Sequence, residues 1–152
     1  MLCCEIQAIV LLGDLAMIRL TYISTARQGL DEAATAALLA TSQRNNRRAG
    51  LTGLLLYDGV RFLQALEGEA EPLLATFARI KADPRHRACV ELGRTDVDAR
   101  SFGEWHMAWQ RIDTPGDRGA LIETIDRLVA RVPDPTTRAL FTSFARLDRH
   151  AA

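Results

Sequence analysis

Apolar residues recur along this chain with two periods, and the order in which those periods alternate predicts the fold. From Met17, the residues Ile18, Leu20, Tyr22 and Ser24 alternate with Arg19, Thr21 and Ile23, the two-residue period of a strand. An Ala-rich helix follows over about 32–46, with Asp31 as its N-cap, Gly50 as its stop and Ala34, Ala37, Leu38 and Thr41 as its buried stripe. Asp58-Gly59 then separates two strand-like runs, and a two-residue link of this kind favours a type I′ hairpin. In that register Tyr57 faces Val60, Leu55 faces Phe62, Gly53 faces Gln64 and Leu51 faces Leu66 on one side of the sheet, while Leu54, Leu56, Leu63 and Ala65 occupy the other. Gly68 and Pro72 open a second helix carrying Leu73, Phe77 and Ile80, which Asp83-Pro84 ends. A strand over 88–94 comes next, and in another Trp105, Met107 and Trp109 alternate with His106, Ala108 and Gln110.

This order predicts an α+β fold, a ferredoxin-like βαββαββ sheet with the first two helices on one face. Both faces of the hairpin are apolar, so the second face also needs a cover. Two amphipathic stretches, 119–132 and 136–149, joined by Pro133-Asp134-Pro135, suit that role. Their stripes are Leu121, Ile125, Leu128 and Val132 in the first and Leu140, Phe144 and Leu147 in the second, which equally suits self-association.

Against this apolar frame a few polar positions stand out. Gln64 interrupts an apolar row opposite a glycine, so it reads either as a polar handle beside a gap or as a side chain satisfying a sheet edge. Ser42, Asn45 and Asn46 prolong the core-facing stripe of the first helix, where they are either C-terminal capping groups or pocket groups. Tyr22 sits near the end of a buried strand. Arg79 and Asp83, four apart, suit a surface ion pair, or Arg79 joins the polar groups around the same space. Side-chain amides offer donors and acceptors together, so this set suits a flat heteroaromatic ligand.

Composition narrows the classes. The 152 residues fit one domain, and 19 Lys+Arg balance 19 Asp+Glu without a basic stripe, which argues against direct nucleic-acid binding. Cys3, Cys4 and Cys89 form neither a zinc pattern nor a disulfide framework, so no metal is expected and a cytoplasmic setting is the default. The apolar run from Ala8 to Leu12 is too short to span a bilayer, so no membrane contact is expected, and residues 1–16 form an N-terminal extension of unassigned role. No GxSxG, HExxH, GxxxxGKS or GxGxxG occurs.

Five blocks, LTYIS at 20–24, SQRNN at 42–46, GLTG at 50–53, FLQALEG at 62–68 and WHM at 105–107, resemble in order and spacing the BLUF domain, a flavin-binding blue-light sensor. The resemblance covers about 17–112 and leaves 113–152 as a C-terminal helical extension like that of short stand-alone members. It implies FAD as cofactor, with FMN or riboflavin as further options, and a photosensory protein rather than an enzyme. Tyr22 and Gln64 match the photochemical pair; Ser42, Asn45, Asn46, Arg79 and Asp83 match cofactor-binding positions. Trp105 and Met107 match the two strand residues argued to exchange places as the signal leaves the pocket. Ala65, and Asn45 where some members carry histidine, depart mildly from the pattern. The implied partner is an effector protein in trans, such as a cyclic-dinucleotide enzyme or a transcriptional regulator, with the sensor a homo-oligomer. The alternative is a light-independent flavin or small-ligand binding module that has kept the pocket.

Overall fold

The computed structural model describes residues 16–103, 105–113 and 116–147; the N-terminal extension lies, but for Ala16, outside the described residues, as does the expected helix end beyond Leu147. The elements run β1 (Met17–Ala26), α1 (Glu32–Ala49), β2 (Thr52–Tyr57), β3 (Arg61–Glu69), α2 (Ala70–Ala82), β4 (His86–Val97), β5 (Ala108–Arg111), α3 (Arg118–Val129) and α4 (Pro135–Arg146). The strands form one sheet in the order β4-β1-β3-β2-β5. Its first four strands are the antiparallel ferredoxin-like set, and β5 is added parallel to β2.

Local chemistry sets the boundaries. The Asp31 carboxylate accepts the Ala34 N–H at the start of α1, and Gly50 ends the helix at φ 68°, a conformation that costs glycine little. Asp117 and Asp134 cap α3 and α4 in the same way.

The two faces of the sheet partition as the alternation predicts. Ile18, Leu20, Tyr22, Leu51, Leu55, Tyr57, Phe62 and Leu66 pack with Leu38 of α1 and Leu73 and Phe77 of α2. Leu54, Leu56, Leu63 and Ala65 pack with Ile125 and Val129 of α3, Val132, and Phe141 and Phe144 of α4.

Several local expectations are corrected. The hairpin register is displaced by two residues: Tyr57 faces Phe62, Leu55 faces Gln64 and Gly53 faces Leu66. A shift of two keeps every side chain on its face, so the partition survives. Its cause is Asp58, whose carboxylate accepts the N–H groups of Val60 (3.0 Å) and Arg61 (2.6 Å), while the Tyr57 carbonyl is taken by Ile112 N–H (2.9 Å). The tight two-residue turn therefore loses its closing bond. Gly53 is small because a Cβ there would overlap the Ala65 carbonyl oxygen, not because it leaves a gap opposite Gln64.

On α1 the buried positions are Thr35, Leu38 and Asn46, with Ala34 and Ala37 exposed, because alanine is too small to orient a helix that borders a cleft. β4 extends well beyond 88–94 in both directions. On α4, Thr137, Phe141, Phe144 and Ala145 are buried, whereas Leu147 is 53% exposed.

Candidate functional site

Strand register alone brings two polar side chains together. Tyr22 on β1 and Gln64 on β3 are partners in the antiparallel ladder, so they stand side by side on the α1/α2 face. The Tyr22 hydroxyl donates to Gln64 Oε1, and Gln64 Nε2 donates to Met107 Sδ at 3.2 Å. All three residues are buried. Burial, and next the neighbouring charges of Cys89 and Asp83, push the Tyr22 phenol far above its ordinary range, so it keeps its proton throughout the neutral region. The Phe77 ring lies 5.2 Å from the Tyr22 ring and restricts its tilt.

These groups floor an open cleft between α1 and α2. Tyr22, Ser42, Asn45, Asn46, Gln64, Arg79 and Asp83 all line it, so the structure gathers every pocket residue singled out from the sequence. Apolar walls come from Leu38, Leu55, Phe62 and Ile80. Asn46 spends its Nδ2 on the His106 carbonyl (2.8 Å), which leaves its Oδ1 as an acceptor. Asn45 is exposed and Ser42 half-buried along the same helix.

Arg79 and Asp83 do not form the expected ion pair. Arg79 donates to Thr76 Oγ1 (3.2 Å), while the Asp83 carboxylate takes the Arg85 guanidinium at 2.6 Å. That hydrogen bond to Arg85 holds the Asp83 carboxyl below the usual carboxylate range. Asp83 closes α2, so the chain turns back there and presents Arg85 to it.

Arg85 and His86 also line the cleft and were missed from the sequence, where Asp83-Pro84 registers only as a helix stop. His86 pairs through Nδ1 with Ser24 Oγ (2.8 Å), and its ring sits 5.1 Å from that of Phe62. Burial pushes its pKa down, which favours the neutral ring. The signal available was position: a His directly after a helix stop and at the head of an edge strand.

Trp105 and Met107 precede β5 rather than lying within it, because the carbonyls at this point are taken by side chains: His106 O by Asn46, and Met107 O by Gln43 Nε2 (3.2 Å). The two residues fall on opposite sides. Met107 is 4% exposed and faces Gln64. Trp105 joins the core of the second face, with Phe102 at 6.4 Å and the Arg131 guanidinium of the α3–α4 connection 5.0 Å from its ring.

The donor set fits a flavin: amides that donate and accept for the ring edge, aliphatic and aromatic walls for its faces, and two arginines toward the mouth. At the floor of this cleft a buried phenol is bonded to a buried side-chain amide. Residues 17–108 match the family model described as sensors of blue-light using FAD. The chain is 37% identical over 123 residues to the photoactivated adenylate cyclase subunit alpha of Euglena gracilis, covering 78% of this chain but only 12% of that protein. Among solved structures it is similar to BlrB, a BLUF protein in its dark state, with TM-score 0.68 and 30% identity over 87% of this chain and 97% of that one. It is also similar to Klebsiella pneumoniae BlrP1 with FMN and cyclic diGMP, with TM-score 0.70 and 31% identity over 85% of this chain and 34% of that one. The chain belongs to the BLUF family and is a flavin-binding blue-light sensor. The BLUF domain itself is sensory and carries no catalysis. Among the described residues no helix is long and apolar enough to cross a membrane, and no His, Cys, Asp and Glu cluster could hold a metal ion.

Proposed function

We propose that light is converted to signal by the chain from Tyr22 through Gln64 to Met107, and that the cleft above it holds the flavin ring. Photoexcited flavin supplies a strong one-electron oxidant. Tyr22 would give that oxidant one electron and, through the Gln64 amide to which it is already bonded, its hydroxyl proton; both would return to the phenol on recombination, so no net oxidation would remain. Gln64 is the element that does not return at once. Its amide carries two donor hydrogens and acceptor lone pairs, of which Tyr22 and Met107 engage only part, so a rotated or tautomerised amide has partners too. Loss of the Nε2 contact releases Met107, and the segment bearing Trp105 responds.

Asn46, through Oδ1, together with Asn45 and Ser42, holds the ring edge, and Asp83, Arg79 and Arg85 hold the start of the side chain. FAD and FMN share these parts. The single observation that carries the reading is the continuous Tyr22–Gln64–Met107 contact at the floor of the cleft. Residues 17–112 form the sensor, and α3 and α4 the cover that passes the change on.

The output goes to an effector in trans, of the nucleotide-cyclising or cyclic-dinucleotide class or a transcriptional regulator. Support for the first two comes from the relatives, one a photoactivated adenylate cyclase and one bound to cyclic diGMP. Blue illumination of the flavin-loaded protein tests the sensor. The flavin bands move red and return in the dark; a spectrum unchanged by light would refute the reading. Affinity capture in dark and light tests the output: an effector held in one state only is expected, and recovery of the sensor alone would contradict it.

A further inference from the structure

Three residues beyond Gln64 on β3, Glu67 points to the opposite face of the sheet and is fully buried. Its carboxylate is saturated. Oε1 accepts from Thr52 Oγ1 (3.1 Å) and the Phe102 N–H (2.5 Å), and Oε2 accepts from the Ser101 N–H (3.0 Å) and the Arg19 guanidinium (3.4 Å). Arg19, 3% exposed, also donates to Ser101 Oγ at 2.6 Å. Arg100 adds bonds to Thr52 Oγ1, the Glu67 carbonyl and the Gly50 carbonyl.

Residues 100–102 thus have no place in the strand ladder and are tied to β1, β2 and β3 by side chains. From this anchor the chain runs directly to the switch: Trp105 N–H bonds to Phe102 O (2.9 Å), Gly53 N–H bonds to Trp105 O (3.1 Å), and Met107 then meets Gln64. The far end is held by Asn46 and Gln43. Among the described residues, Glu67 fixes the near end through consecutive backbone N–H groups, at 101 and 102, beside the side-chain bonds of Arg100 and Ser101.

We propose that Glu67 is a positioning residue for the light switch: by clamping Ser101 and Phe102 to β3, it seats Met107 against the amide of Gln64. It lies on the sheet face opposite Tyr22 and acts through Ser101, Phe102, Trp105 and Met107. The inference rests on the Tyr22–Gln64 reading above. It also gives a role to a fully buried ion pair, Arg19–Glu67, which burial by itself does not make a net source of stability. One strand carries both groups, so the seat of Met107 is referenced to the strand that carries Gln64.

The test is Glu67→Gln in the full chain loaded with flavin. The amide keeps the size of the side chain but sets an NH₂ group among four donors. The red shift still forms, because Tyr22 and Gln64 are intact, but the dark return slows by about tenfold, the equivalent of one charged hydrogen bond. Amide hydrogen exchange in 101–107 rises by a similar factor, about tenfold, while exchange in α1 does not change. Ser101→Ala, which removes only the Oγ bond to Arg19, is the milder variant should Glu67→Gln fail to fold; it slows the return about twofold to threefold.

A lower melting temperature with a return within about twofold of wild type, or faster than it, would reduce Glu67 to a structural ion pair and overturn the proposal. If the wild-type protein shows no red shift, the switch reading has failed instead. Exchange at 101–107 then still decides the clamp: accelerated in the variant it stands, unchanged it falls.

Discussion

One strand, β3, presents Gln64 to one face of the sheet and Glu67 to the other, and the two buried polar groups are treated in opposite ways. On the α1/α2 face Gln64 has two soft partners, a phenol and a thioether, and borders an open cleft. On the α3/α4 face Glu67 has four donors and is fully buried. Unused hydrogen-bonding capacity beside a cavity permits a second arrangement; a saturated carboxylate among packed side chains permits only one. The comparison teaches where change is allowed in this molecule: on the switch proposed above the amide is the part free to move, and the carboxylate the fixed point from which its movement is read.

The comparison is broken most completely by removing the phenol. Tyr22→Phe deletes one hydroxyl from a position held by packing, so the flavin stays bound and the fold intact, but the light-induced red shift is lost entirely. Absorption before and after blue light checks this, and a normal shift would place the electron source elsewhere.

The other face predicts the converse. Phe141 is fully buried against α3 and the sheet. Phe141→Ala lowers unfolding free energy by about 3 kcal/mol through lost burial and the remaining cavity. Urea unfolding measures the loss, and the red shift of the folded fraction is unchanged. A variant that unfolds like wild type would show that α4 does not cover the sheet.

The smallest effect concerns acid. Burial holds the folded-state pKa of His86 below its unfolded value, with Asp83 partly opposing and Arg85 assisting. The unfolded chain therefore binds more protons in mild acid, so the contribution of His86 to stability is full above about pH 6.5 and declines as pH falls below it. Between neutral pH and about pH 5 the wild-type protein loses more stability than His86→Gln, which does not titrate. Parallel stability curves for the two proteins would contradict the burial argument.

Much of this was legible in the sequence, for reasons that differ by residue. Two-residue alternation assigns faces irrespective of register, so Leu54, Leu56, Leu63 and Ala65 were separable from Leu51, Leu55 and Phe62 even with the hairpin misaligned by two. Helix α1 announced itself through Asp31 and Gly50. The convergence of Tyr22, Gln64, Ser42, Asn45 and Asn46 followed from helical and strand spacing, and their roles toward flavin from the family resemblance.

What was not legible depends on competition between distant groups. Asp58 capturing two backbone N–H groups, and Ile112 capturing the Tyr57 carbonyl, redirect the turn. Asn46 and Gln43, more than fifty residues away along the chain, take the carbonyls that would otherwise start β5 earlier. Arg85 displacing Arg79 from Asp83 needs the reversal of the chain at Pro84. Glu67 gave no signal at all, since a charge in a strand ordinarily marks a solvent face.

The most direct measurement of the central claim is the light-minus-dark difference spectrum of Gln64→Leu. Leucine is close in size, leaves Tyr22 and Met107 in place and removes both donor and acceptor. Flavin binds with the loss of about one hydrogen bond, on the order of 1 kcal/mol. The dark bands are already displaced from those of wild type, and blue light produces no red-shifted state. A persistent red shift in the leucine variant would contradict the amide switch and leave the flavin cleft standing without it.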